Sequence, residues 1–137
     1  MRFSSVFGSF SLFALISVAP ASGCVLSYSD RAIRSTASSQ FSATLGTSPS
    51  PVVVGAPFVV QLRICGSAGA RIDRLTMDAN MPEHRHGMNY KPEISAMGDG
   101  LYEGRGFLFH MPGRWEITVS VYSDAEPSHL KFDFEVK

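Results

Sequence analysis

Charge is scarce in this chain and evenly split. Charged residues make up 18% of its 137 residues, with twelve basic against twelve acidic. Without a basic stripe or an acidic tail, nucleic-acid binding and electrostatic attachment to a membrane find no support in the sequence. Uninterrupted apolar runs of the roughly 20 residues that span a bilayer as a helix are also lacking. No segment of ten residues or more shows a 3.6-residue apolar period, which argues against a helical domain. Two cysteines are too few for paired Cys-x-x-Cys metal sites. The helical His-Glu-x-x-His arrangement and the Gly-x-Ser-x-Gly elbow are both missing, so no enzyme is expected. Internal repeats and long linkers are absent as well.

What is present begins with an export signal. Arg2 supplies a positive start, and the uncharged stretch from Val6 to Ala19 has the length of a signal-peptide apolar region. Pro20 interrupts it, and the small residues Ala21, Ser22 and Gly23 follow as a cleavage site. Residues 1–23 are therefore expected to be a cleaved signal peptide. The mature protein would work in the periplasm or elsewhere outside the cytoplasm. About 110 residues remain, enough for one domain with one core.

Cys24 then has two readings. Ala21-Ser22-Gly23-Cys24 resembles a lipoprotein box, with Cys24 acylated and the protein held at the membrane only by that lipid. Alternatively, Cys24 pairs with Cys65 in an oxidising compartment. Closing that ~41-residue loop would contribute about 4 kcal/mol on the chain-entropy account.

Residues 24–40 are rich in Ser, Thr and Ala and read as a lead-in loop to a domain spanning 41–137. Strand-like segments follow at Phe41–Leu45, Phe58–Cys65, Arg71–Asp78, Leu101–Phe109, Trp115–Tyr122 and Leu130–Val136. Val60, Leu62 and Ile64 alternate with Gln61 and Arg63. Trp115, Ile117, Val119 and Val121 alternate likewise, as do Phe132, Phe134 and Val136. The breaks at Ser48–Pro51, Gly66–Gly69, Gly98–Gly100 and Pro112–Gly113 carry turn residues. This pattern predicts an all-β, antiparallel sandwich of about seven strands.

One segment departs from the pattern. Met81-Pro82-Glu83-His84-Arg85-His86-Gly87-Met88 holds two of the four histidines and two of the six methionines, and His110-Met111 adds another pair. Thioether sulfur is a soft donor and imidazole a borderline one, a combination suited to copper, above all Cu(I). In an extended strand His84, His86 and Met88 would share one face at about 7 Å intervals. The expected ligands are drawn from Met81, His84, His86 and Met88, with His110 or Met111 completing the shell. The same residues have a plainer reading, in which the methionines fill gaps at a sandwich edge and the histidines shape a loop that meets an envelope protein partner. Glu83 beside the histidines lacks the context of a hydrolase base. His129, near an expected turn, reads as exposed.

The blocks Asp78–Tyr90, Gly98-Asp99-Gly100-Leu101-Tyr102 and Phe109-His110-Met111-Pro112-Gly113-Arg114-Trp115 resemble, in their order, the YtkA-like domain, related to FixH-like domains of bacterial envelope proteins. The resemblance implies an immunoglobulin-like sandwich with no established enzymatic activity, and a role in metal handling, often of copper. The expected partner is a metal acceptor or an envelope protein. Trp115, Phe107 and Phe109 are read as core packing, each ring burying ~150–250 Å².

Overall fold

A computed structural model describes residues 24–26, 33–123 and 126–137; the expected signal segment lies outside these. Nine strands run through the described residues, and no helix occurs among them. They are β1 (Ile33–Ala37), β2 (Phe41–Ser48), β3 (Pro57–Gly66), β4 (Arg74–Met81) and β5 (His86–Gly87). β6 (Glu93–Gly98), β7 (Leu101–Leu108), β8 (Gly113–Tyr122) and β9 (Ser128–Val136) follow. A five-stranded sheet has the order β1-β2-β3-β7-β6, and a four-stranded sheet the order β5-β4-β8-β9. Every pairing is antiparallel. The all-β sandwich expected from the sequence is the fold, with more strands than anticipated.

Period-2 alternation explains the two central pairings. Phe58, Val60, Leu62 and Ile64 of β3 are buried, as are Trp115, Ile117, Val119 and Val121 of β8. Leu130, Phe132, Phe134 and Val136 of β9 complete the inner face of the smaller sheet. These side chains form one core between the two sheets. Aromatic contacts stitch it across the gap: Phe109 stacks on Trp115 at 4.6 Å and 12° and meets Phe134 edge-on at 5.9 Å, while Phe58 supports Phe109 edge-on at 4.8 Å from within its own sheet.

β7 would place its aromatics wrongly without an interruption. Phe58 pairs with Phe107, but Val60 pairs with Gly104, so β7 carries one extra residue between those positions. Gly106, at φ 87°, lies in that bulge. The shift re-phases the strand, so that Phe107 and Phe109 both enter the core and His110 emerges at its end.

Three elements differ from expectation. Residues 24–40, read as a lead-in loop, contain β1, which pairs with β2 from Ile33↔Gly46 to Ala37↔Ser42. Its sequence has no apolar alternation, so ladder pairing rather than patterning makes it a strand. β4 is displaced from 71–78 to Arg74–Met81, because Met77, Ala79 and Met81 form its buried face. β6 was not expected; apart from half-buried Ile94 it is exposed, and pairing with β7 holds it.

β1 also ties the sheets together at one side. Arg34 Nε donates to the Asp133 carbonyl at 2.8 Å, and its guanidinium lies 3.9 Å from the centre of the Phe134 ring. Burial there lowers the Arg34 pKa from its ordinary value. Cys24 is joined to Cys65 with Cα atoms 5.7 Å apart, and the Thr44 hydroxyl donates to the Cys24 carbonyl. The bridge uses the sulfur that a lipid at Cys24 would need, so of the two exclusive readings the structure has the disulfide.

Candidate metal centre

The segment from Met81 to Met88 folds as a tight hairpin rather than an extended strand. Pro82–Arg85 form a turn, and Met81 pairs with His86 across it. The Met81 carbonyl accepts from both His84 N at 3.2 Å and Arg85 N at 2.9 Å. Arg85 adopts φ 57°, the left-handed conformation that reverses the chain into β5. Met88 N donates to the Ala79 carbonyl at 3.1 Å, which pins the far end of the hairpin. The expectation that His84, His86 and Met88 share one face of a strand is therefore corrected. The turn residues and Gly87 end β5 after His86 and Gly87, so His84 sits in the turn.

The register fixes where His86 belongs. Residues paired across an antiparallel ladder share a face. His86 pairs with Met81, which is 1% exposed and part of the core, so its imidazole meets the rim of the inner face. His110 reaches the same rim from the other sheet, on the connection between β7 and β8. Trp115 lies between them, its indole edge-on to the His86 ring at 6.0 Å and to the His110 ring at 5.3 Å. Its Nε1 donates to the Met111 carbonyl at 2.9 Å and so anchors that connection. Sequence reasoning placed Trp115 in the core but missed this second contact surface; the spacing Met111-Pro112-Gly113-x-Trp115 was its signal.

The three imidazoles are adjacent in pairs. Ring centroids are 6.0 Å apart for His84 and His86, and 5.2 Å apart for His86 and His110. Among the described residues, no three His, Cys, Asp or Glu side chains are gathered so as to hold one metal ion. Two imidazoles each bonded at ~2.0–2.1 Å to a shared ion place their ring centres at a separation of this order.

Hydrogen bonding selects the donor atoms. His86 Nδ1 lies 3.3 Å from the Gly87 carbonyl, which can only accept, so this contact calls for the proton on Nδ1 and, in the neutral ring, leaves the lone pair on Nε2. His110 Nδ1 is buried with no hydrogen-bond partner. Leaving such a nitrogen dry and unpaired costs about 1–3 kcal/mol, which a bound ion or other ligand would offset.

The methionines divide. Met81 is in the core, with its Cε 3.0 Å from where a Cβ on Gly113 would lie. Met88 is half-buried and packed against the core, and Met111 is 37% exposed. The plainer reading of gap-filling fits Met81, while Met88 directly follows β5 and Met111 directly follows His110. Glu83 is exposed in the turn. His129 is exposed on the outer face of the smaller sheet, its Nδ1 2.9 Å from the Ser120 hydroxyl, away from the other three.

No family model matches the chain, and no curated protein does, so nothing in these comparisons names the YtkA-like family. Among solved structures the chain is similar to FetP of uropathogenic Escherichia coli strain F11, as isolated after recombinant expression in the periplasm of E. coli. The likeness has 11% identity and a TM-score of 0.49 over 77% of this chain and 93% of that one. A copper-bound single-substitution variant of the same FetP is similar at 12% identity and a TM-score of 0.48, over 77% of this chain and 90% of that one. Both likenesses are distant, and the site rests on this chain's own residues.

Proposed function

We propose that the protein is an extracytoplasmic copper-binding module that holds Cu(I) at the rim of its sandwich for storage, delivery or assembly. His86 Nε2 and His110 Nδ1 are its principal ligands, and Met88 or Met111 supplies a thioether. The observation that carries this reading is the buried, unpartnered Nδ1 of His110, on a ring 5.2 Å from that of His86. Two imidazoles and a soft sulfur suit Cu(I), whereas a structural zinc site wants four nitrogen, thiolate or carboxylate ligands. The Cys24–Cys65 bridge supports an oxidising compartment, in keeping with the expected export signal. The role is one of binding rather than catalysis.

A second reading, a docking module for an envelope protein, has one observation in its favour. β6 is an edge strand of the larger sheet, and Met97 on it is 58% exposed.

The deciding experiment is a Cu(I) competition titration against a chromophoric chelator, on the protein and on His86→Ala and His110→Ala variants. Stoichiometric binding that weakens by about tenfold or more in each variant is the expected outcome. Binding no tighter than about millimolar, or equal in all three proteins, would overturn it and leave the docking reading.

A further inference from the structure

The copper reading assigns two histidines and leaves a third, His84, exposed beside them. We propose that His84 and His86 form an outer pair on which Cu(I) first lands, and His86 and His110 an inner pair that retains it, with the ion passing inward by pivoting on His86. This deepens the copper reading above and rests on it.

Three observations carry the inference. First, His86 is within two-ligand reach of both neighbours, at 6.0 Å from His84 and 5.2 Å from His110 between ring centres, while no three such side chains among the described residues gather around one ion. The geometry therefore offers two overlapping pairs rather than one three-histidine site. Second, His86 has one nitrogen to give. Its Nδ1 is engaged with the Gly87 carbonyl, so the lone pair on Nε2 can serve one ion at a time. The pairs are thus alternatives, to be occupied in sequence.

Third, the environments are graded. His84 lies exposed on the hairpin turn, His86 is half-buried, and His110 keeps its Nδ1 wholly out of water without a partner. An ion arriving from solvent, or from a donor protein, meets His84 first. It gains most at His110, where coordination ends the cost of an unpaired buried nitrogen. In the inward step the bond from copper to His84 breaks as the bond to His110 Nδ1 forms, and the His86 bond is kept. Copper stays Cu(I), no proton moves, and the overall charge is unchanged. His84 is thereby a kinetic ligand, one that sets the rate of loading and unloading without setting the final affinity.

Stopped-flow transfer of Cu(I) from a chromophoric chelator tests this, read by chelator absorbance and by Trp115 fluorescence. His84→Ala should slow loading and unloading together by about tenfold, while equilibrium affinity stays within about twofold. His110→Ala should lose affinity while retaining rapid initial capture. Loading of His84→Ala at the wild-type rate would overturn the proposal. So would a loss of affinity matching its loss of rate, because His84 would then be an ordinary ligand of one site. If the unaltered protein takes up no Cu(I), the copper reading fails and the two-pair proposal with it, an outcome distinct from either. Thermal unfolding of each variant confirms that the sandwich is intact.

Discussion

The His86 and His110 imidazoles stand 5.2 Å apart, although one comes from the two-residue edge strand of the smaller sheet and the other from just beyond β7 in the larger. Two devices create this meeting. The bulge at Gly106 sets the phase of β7 so that Phe109 turns inward, and Trp115 then holds the connection that carries His110 through its bond to the Met111 carbonyl.

Trp115→Phe should therefore affect both the core and the site. It removes the indole N–H that anchors the Met111 carbonyl and shrinks a fully buried side chain. A loss of about 1–3 kcal/mol in urea unfolding is expected. Copper affinity should fall with it, because His110 loses its support. Wild-type affinity in a destabilised Trp115→Phe protein would show that the indole serves packing alone.

How much of this was legible in the sequence depended on whether a residue's partner was encoded nearby. Val60, Leu62 and Ile64 declare β3 by alternation alone, and the same holds for Trp115 to Val121. β1 and β6 lack such a signal. They are edge strands defined by ladder partners on β2 and β7, which no local pattern discloses. The Met81–Met88 segment stands out by composition, but its shape is not the one composition suggests. A run of His-x-His suggests extension, whereas Pro82 and the left-handed Arg85 turn it into a hairpin. The pairing of His110 with His86 depends on a bulge and a change of sheet between β5 and β6, so composition could nominate His110 but not place it.

The disulfide lies far from the histidines. Cys65 is near the end of β3, whereas Pro57 at its start faces Leu108, two residues before His110. Eight residues of strand separate these ends by about 26 Å. Cys24→Ser/Cys65→Ser should lose about 2–4 kcal/mol of stability and keep its copper affinity within about twofold. Equilibrium unfolding and the chelator titration on one preparation check both halves. A parallel loss of affinity would mean that the bridge shapes the site through the whole sheet.

Arg34 should matter more than a surface arginine usually does. Its side chain covers Phe134 and caps the Asp133 carbonyl, joining β1 to β9 across the open side of the sandwich. Arg34→Ala is expected to cost about 1–2 kcal/mol in urea unfolding. Arg34→Lys should recover only part, because an ammonium lacks the planar face that lies over the ring. Full recovery by lysine would reduce the contact to simple charge.

Gly113 opens β8 at φ 122°, and a Cβ there would approach Met81 Cε to 3.0 Å. These constraints have different remedies. The methionine methyl ends a flexible chain and can swing aside, whereas the backbone conformation is strained for any L side chain. Gly113→Ala is thus expected to destabilise by about 1–3 kcal/mol, chiefly through the backbone. Combining it with Met81→Ala separates the causes in a thermal-unfolding cycle. If backbone strain dominates, Gly113→Ala costs about as much in the Met81→Ala background as in the wild type. If contact dominates, the second cost nearly vanishes, and Met81 is then the residue that demands a glycine at the turn leading into the site.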